Sequence, residues 1–427
     1  MANNTVLAIA IFIAAYILII SEKINRMVVA LSGAVIMIML GIINQEQALS
    51  HIDFNTIGLL IGMMITVNIT SETGIYKFMA IWAAKKAKAR PMPLMFALAC
   101  LTAVFSAFLD NVTTVLLIVP VTFGITSQLK LDVKPFLVCQ ILASNIGGAA
   151  TLIGDPPNIM VSSAAGFDFM AFIINLAPVC IFVFLICMFI LYLLYRKKLH
   201  TTPELQAKVM KLNAKSEIRD PVLLKKCLIV LACTISLFML HSVLHLATAT
   251  VALAGASTLM LLTFASDAEK LMVVFSRIEW LSIFFFVGLF IMVGSLIETG
   301  VINIVAAKAM HFTNGDVKST AVLILWLSAI ASAFIDNIPF VATLLPLIQE
   351  MGQMGINNLA PIYWSLALGA CLGGCGTLIG ASANVVVASM AAQRGKPISF
   401  NKFLFMAFPL MILAIIISNL YILWRYF

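Results

Sequence analysis

Charge is what this chain has least of. Only 10% of its 427 residues are Asp, Glu, Lys or Arg, while 62% are hydrophobic. A soluble domain carries about 25% charged residues, so a water-soluble enzyme of this length could not cover its surface. Long polar segments are also missing, with one exception at 196–226. The eight cysteines are scattered through hydrophobic stretches and form no cluster, which argues against a disulfide framework. The net charge of +8 forms no basic patch, because the basic residues lie between apolar blocks, and a nucleic-acid partner is not expected. The opening Met-Ala-Asn-Asn-Thr has no positive n-region, so the first apolar block is expected to be a retained helix.

What is present is a series of apolar blocks long enough to cross a hydrocarbon core about 30 Å thick. They run from 6–20 to 403–424, and most are apolar on every face, as lipid-embedded helices are. The expected fold is an all-α polytopic membrane protein.

A fixed offset of 226 residues organises the blocks. Ser106-Ala-Phe-Leu-Asp110-Asn111 returns as Ser332-Ala-Phe-Ile-Asp336-Asn337. Gly147-Gly148 returns as Gly373-Gly374, Thr151-Leu-Ile-Gly154 as Thr377-Leu-Ile-Gly380, and Asn158 as Asn384. Aligning 52–165 with 278–391 without a gap gives 31 identities in 114 positions. Shared hydropathy alone would not keep register through polar residues and glycines. The chain therefore reads as two structural repeats, 1–195 and 227–427, joined by a linker at 196–226. Paired repeats of this kind are the signature of a secondary transporter.

Two blocks in each half are not simple spans. Blocks 94–126 and 320–351 each carry Asp-Asn at the midpoint. In a straight helix that aspartate would face lipid, at a cost of at least about 2.5–3.5 kcal/mol. A re-entrant helical hairpin folds it to a protected tip instead. The blocks that follow are broken by glycine at 147–158 and 373–384, and unwound backbone at membrane depth must line a cavity or be buried in protein. Each half then has five crossings plus one hairpin and a broken helix, and the odd count inverts the second repeat. With the N-terminus and C-terminus outside, 23 of the 26 basic residues fall inside, including the nine in 196–226. The positive-inside rule favours that orientation, with a cytoplasmic linker, in an inner (plasma) membrane.

On this topology all Lys and Arg sit in loops and helix ends, leaving acids, with histidine as an open alternative, as the ionisable groups at depth. Asp110 and Asp336 lie at the hairpin tips and Asp155 in the first break, beside Asn111, Thr113, Asn337 and the carbonyls of broken helices. Such oxygens suit a hard cation, and a desolvated carboxylate can also exchange a proton. The alternative is that each tip aspartate only caps the second arm of its hairpin. Asp155 has lost its counterpart, Ala381, and so belongs to an asymmetric role. The recurring Gly-Gly-x-x-Thr-Leu-Ile-Gly-x-x-x-Asn adds Gly147, Gly148, Thr151, Asn158, Gly373, Gly374, Thr377 and Asn384 to the candidate site, with Ser106 and Ser332 beside them. For the glycines, close helix packing is an equal reading. Glu72 and Glu298 are expected at a solvated rim. Cys371 and Cys375 share a helix face that invites a soft-metal or arsenic(III) reading, but their counterparts Asn145 and Ala149 favour plain packing. His241 and His245 share a face without a third ligand nearby, so no metal site and no cofactor are expected.

The stretches Phe105-Ser-Ala-Phe-Leu-Asp-Asn-Val-Thr-Thr-Val-Leu-Leu and Asn145-Ile-Gly-Gly-Ala-Ala-Thr-Leu-Ile-Gly-Asp-Pro-Pro-Asn158 closely resemble the P-protein, arsenite-pump and NhaD-type antiporter group of the ion transporter superfamily. The superfamily also contains the dicarboxylate and citrate carriers. In sodium-dicarboxylate relatives a Ser-Asn-Thr motif at each tip binds sodium and substrate, whereas this chain has Asp110-Asn111 and Asp336-Asn337 in the matching places. Two extra negative charges oppose an anionic cargo. The resemblance therefore implies a non-enzymatic secondary transporter, with proton-coupled efflux of arsenite or antimonite as the leading expectation. Sodium–proton antiport and organic anion transport are the alternatives, and an ion channel fits repeated hairpins poorly. It further implies H+ or Na+ as the coupling ion and a homodimer with a fixed scaffold and a mobile transport domain. An arsenite pump would add a soluble ATPase partner.

Overall fold

A computed structural model of the chain describes residues 2–21, 23–264 and 267–427, and the regular structure there is helical throughout. The first half comprises α1 (Ala2–Ser21), α2 (Arg26–Met39), α3 (Gln45–Ser50), α4 (Phe54–Glu72), α5 (Ile75–Lys86) and the pair α6 (Pro91–Phe108) and α7 (Asn111–Gln128). It continues with α8 (Lys134–Ala149), α9 (Pro156–Ala165), α10 (Phe169–Asn175) and α11 (Ala177–Tyr195). A short α12 (Pro203–Met210) and a 3₁₀ turn at Ala214–Glu217 occupy the middle. The second half repeats the plan as α13 (Pro221–Leu240), α14 (Thr248–Phe264), α15 (Ala268–Ser276), α16 (Trp280–Glu298) and α17 (Val301–Thr313). The pair α18 (Val317–Phe334) and α19 (Asn337–Gln353), then α20 (Ala360–Gly373), α21 (Ser382–Gln393) and α22 (Phe400–Tyr426), complete it.

Both long blocks fold as hairpins, α6–α7 and α18–α19, turning within two residues at Leu109-Asp110 and Ile335-Asp336. The arms are 17 or 18 residues long, because each helix runs beyond its apolar block. Both glycine-containing blocks are broken, between α8 and α9 and between α20 and α21. Among the described residues nine helices are long and apolar enough to cross a bilayer, and α9 with α10, bent by 114°, qualify as a pair. Each half thus has five crossings (α1, α2, α4, α8–α9 and α11 in the first), one hairpin and one broken helix. A tight entrance to the next helix recurs after α4 and α16, where Gly74 (φ 80°) and Gly300 (φ 74°) adopt the left-handed conformation that favours glycine.

Two polar side-chain pairs display the inversion. The C-terminal end of α4 meets the start of α16 through Glu72 and Arg277 at 3.1 Å. The far ends of the same helices meet through His51 and Glu298 at 3.0 Å. Positions 51 and 277, and 72 and 298, are repeat counterparts, so α4 and α16 run antiparallel about a pseudo-twofold axis. The halves also exchange partners. Helix α14 packs on α4 where a Cβ on Gly62 would stand 2.6 Å from the Ala252 carbonyl carbon. Its counterpart Gly288 brings α16 against α2, with a Cβ 2.5 Å from the Ala30 carbonyl carbon. In the central group, α6 lies on α8 and α18 on α20, while α7 crosses to α21 and α19 to α9.

The stretch 196–226 is more structured than a plain linker. It contains α12, the 3₁₀ turn and the first turn of α13, which Asp220 caps through Val222 N and Leu223 N. It is tied down by Lys85 Nζ donating to Leu212 O at 2.9 Å and by Arg219 N donating to Thr73 O at 3.0 Å. Thr73 adjoins Glu72, which places this segment at the Glu72–Arg277 end of the molecule.

Candidate functional site

Four helices, α7, α9, α19 and α21, begin at the centre of the molecule, where the hairpin tips meet the two breaks. The tip aspartates do cap their second arms. Asp110 Oδ1 accepts from Val112 N at 2.8 Å and Thr113 N at 3.0 Å, and Thr113 Oγ1 donates to Asp110 Oδ2. The second tip differs because Pro339 replaces Thr113 and has neither an amide hydrogen nor a hydroxyl. Asp336 accepts only one local amide, from Ile338 N at 3.3 Å. Its other oxygen accepts from Ser382 Oγ at 2.7 Å and from Arg26 Nη1.

The remaining repeated polar residues staple the breaks to the hairpins. Ser106 Oγ donates to Ser144 O and Ser332 Oγ to Ala370 O, each at 2.6 Å. Thr151 Oγ1 donates to Ala107 O and Thr377 Oγ1 to Ala333 O. Asn158 Nδ2 reaches Ala149 O at 3.1 Å and Thr151 O at 2.8 Å, and Asn384 Nδ2 reaches Gly374 O at 2.7 Å and Thr377 O at 2.9 Å. These amides satisfy carbonyls released by the unwinding, as buried backbone requires. Gly147 and Gly373 let the broken helix touch the hairpin backbone, since a Cβ would stand 2.7 Å from Ala103 Cα or Ala329 Cα. Gly148 and Gly374 similarly face Gly154 O and Gly380 O, at 2.7 and 3.0 Å from a Cβ. Packing is therefore the role that the structure displays for all four.

The halves also bond to each other here. Asn145 Nδ2 donates to Asn384 Oδ1 at 2.8 Å, and its counterpart Cys371 approaches Asn158 Oδ1 at 3.5 Å. Cys371 thus stands in an asparagine's place. Neither it nor Cys375 lines the cavity described next.

That cavity has a volume of about 30 Å³, room for one or two water-sized occupants. Its polar lining is Asp110, Asn111, Asp155, Asn337, Glu279, Arg26, Ser282 and Ser382, against apolar Leu60, Met64 and Phe286. Asp155 is 1% exposed and accepts from Asn337 Nδ2 at 3.2 and 3.3 Å, without capping α9. Glu279, at the start of α16, accepts from Ser282 Oγ at 3.2 Å. Of the expected residues, Asp110, Asn111, Asp155 and Asn337 line this space, Asp336 and Thr113 bond to its wall, and the staples and glycines stand behind it.

The expectation that no Lys or Arg reaches this depth is corrected. Arg26 does not stay in a loop: packing of α2 on α16 carries its guanidinium over the Phe285 ring, 5.0 Å from the centroid, to Asp336 and Ser382. Glu279 was missed as well, although its alignment with the acidic Asp53 marks it in the repeat. The site therefore gathers four carboxylates, Asp110, Asp155, Glu279 and Asp336, and one guanidinium. Glu72 and Glu298 are rim residues, engaged in the polar pairs already described. His241 bonds through Nδ1 to Phe238 O at 2.7 Å, and among the described residues no group of three His, Cys, Asp or Glu could hold a metal.

The profile of the citrate transporter (CitMHS) family matches residues 16–369. An uncharacterized transporter of Mycobacterium tuberculosis is 43% identical, over 99% of both chains. The P protein of Homo sapiens is 33% identical over 99% of this chain, which spans 60% of that longer protein. Among solved structures, the YdaH transporter of Alcanivorax borkumensis covers 99% of this chain and 98% of its own, with a TM-score of 0.59 at 13% identity, a likeness of fold. The inverted hairpins, the broken helices and these matches lead to one conclusion: the chain is a multi-pass membrane transporter belonging to the citrate transporter (CitMHS) family.

Proposed function

We propose that the chain is a secondary transporter that moves its cargo by exchanging a proton or a sodium ion at the cavity lined by Asp110, Asp155 and Glu279. The observation that carries this reading is the excess of acids: Asp110, Asp155 and Glu279 line a space of about 30 Å³, and the single arginine there, Arg26, is already paired with a fourth acid, Asp336, at its wall. Small-molecule pockets measure about 300–1,000 Å³, so this space suits an ion better than an organic acid. Helix starts are ready-made anion sites, but Asp110 takes two α7 amides, Asp336 takes one of α19, and Pro156 and Pro157 deprive α9 of two, so the uncapped α21 is the start left for an anionic cargo. Cation–proton exchange is therefore the favoured activity. An arsenite cargo draws nothing from the cavity, because Cys371 is engaged with Asn158 and both thiols lie outside the lining.

A carboxylate cargo is the second reading, favoured by the match to a citrate transporter family and by the guanidinium of Arg26. With three acids in excess it would travel only alongside protons or cations. Proteoliposomes under an imposed pH gradient, challenged separately with sodium, arsenite and citrate, test the proposal. Sodium is expected to discharge the gradient. Cargo movement that ignores both proton and sodium gradients would overturn it.

A further inference from the structure

The two hairpin tips share a sequence but not a set of partners. Asp110 is satisfied within its own tip by two amides and the Thr113 hydroxyl. Asp336 has Pro339 in place of that threonine, so one carboxylate oxygen is left to turn outward. It meets Ser382, the first residue of α21, where the first half has Pro156, a residue with no hydroxyl. Asp336 Oδ2 and Ser382 Oγ thus make an oxygen pair that has no equivalent in the first repeat.

The occupant of that pair is a side chain. Arg26 Nη1 donates to Asp336 Oδ2 and, at 2.8 Å, to Ser382 Oγ. Arg26 is the first residue of α2, and the first residue of the matching α14 is Thr248. The guanidinium comes from the helix group that packs on α16, whereas Asp336 and Ser382 belong to the hairpin and broken helix. Side-chain exposure is 30% for Arg26 and 13% for Asp336, so the protein covers the pair only in part.

Arg26 also stands at a boundary. A second cavity, of about 300 Å³, is lined by Ile24, Asn25, Arg26, Phe334, Asp336 and Ser382, among others. Arg26 and Ser382 line both this larger space and the small acid cavity, so they form part of the wall between them.

We propose that Asp336 and Ser382 form a site for a monovalent cation of the sodium type, and that Arg26 is a tethered competitor that occupies it until the ion displaces it. Carboxylate and hydroxyl oxygens are hard donors suited to such an ion. The displaced guanidinium stays tethered beside the cavity, so the arriving ion adds a positive charge there and favours loss of a proton from the neighbouring carboxylates. The displaced arginine no longer ties α2 to the hairpin tip, so ion binding and release of the tip are one event. This rests on the reading of the site as a cation exchanger.

The test is equilibrium sodium binding to the purified full-length protein, read as thermal stabilisation against sodium chloride with choline chloride holding ionic strength constant. Arg26→Gln removes the competitor, and the loss of a charge-assisted hydrogen bond corresponds to apparent sodium affinity tightened by about tenfold or more. Added guanidinium chloride should compete with sodium in Arg26→Gln, and a further Asp336→Asn should abolish the sodium response. Should Arg26→Gln aggregate, Arg26→Lys, which keeps the charge but not the fork, should tighten sodium binding by a smaller factor. Unchanged or weakened sodium affinity in the folded variant, or no competition by guanidinium, overturns the proposal. If wild-type protein exchanges sodium for protons while Arg26→Gln binds sodium as before, only the tethered competitor fails. If Arg26→Gln binds sodium more tightly but no gradient drives wild-type transport, only the transport reading fails.

Discussion

Asp155 offers the clearest separation of charge from structure. Its carboxylate is 1% exposed and accepts from Asn337 Nδ2 at 3.2 and 3.3 Å, with the Cys371 thiol as a second, weaker donor beside it. A buried carboxylate with so few partners bears a desolvation cost of several kcal/mol. Asp155→Asn keeps the shape and an oxygen for the Asn337 amide while removing the charge. Stability should therefore rise by about 1 kcal/mol or more, a Tm increase of roughly 2 °C for a large chain. Asp155→Ala also removes the charge but leaves the Asn337 amide, itself 2% exposed, without its acceptor, at a cost of about 1–3 kcal/mol relative to Asp155→Asn. Both variants should lose transport or its dependence on pH. In the second break Ala381→Ser adds a cap to α21, which should leave transport unchanged and stabilise slightly. Thermal unfolding of the purified variants, with transport rate against cargo concentration at two pH values, makes the comparison. An Asp155→Asn protein that is less stable than Asp155→Ala, or that transports with the wild-type pH profile, would refute the reasoning.

Three further outcomes are expected. Gly62→Ala and Gly288→Ala place a methyl within 2.6 Å of the neighbouring helix backbone and should each cost about 1–3 kcal/mol, measured by thermal unfolding; no loss at either would deny the close helix contacts. His51→Gln and Arg277→Gln each break one repeat-related polar pair at the rim, and each should lower stability by no more than about 1 kcal/mol, since both pairs are solvent-exposed. A cysteine placed at residue 210 should react with impermeant reagents only from the cytoplasmic side; labelling from the outside alone would reverse the proposed orientation.

The hairpins and breaks were legible because their polar residues recur in register: Asp110 with Asp336, Thr151 with Thr377, Asn158 with Asn384. Only a membrane fold with tips and unwound segments explains polar residues at those depths. The division of labour within the motif was not legible. Ser106, Thr151 and Asn158 bond to backbone carbonyls, and which carbonyls an unwound segment releases depends on the path of the chain. Arg26 was hidden for a different reason. It lies outside the aligned stretch 52–165, and only the packing of α2 across the pseudo-twofold onto α16 carries it to Asp336. Glu279 was visible as an acid opposite Asp53, but the placement of a helix start beside a hairpin tip is a tertiary fact. The glycine pairs were equally open to packing or ligand contact until distances to Ala103 and Ala329 were known.

The central claim is that protons and a cation exchange within one cluster of carboxylates. It is tested most directly by counting protons released when sodium chloride is added to purified protein in weakly buffered solution, compared with choline chloride. Wild-type protein should release protons on sodium binding, and Asp110→Asn combined with Asp155→Asn should release fewer or none while remaining folded. Sodium binding without proton release, or the same release from the folded double variant, would contradict the account.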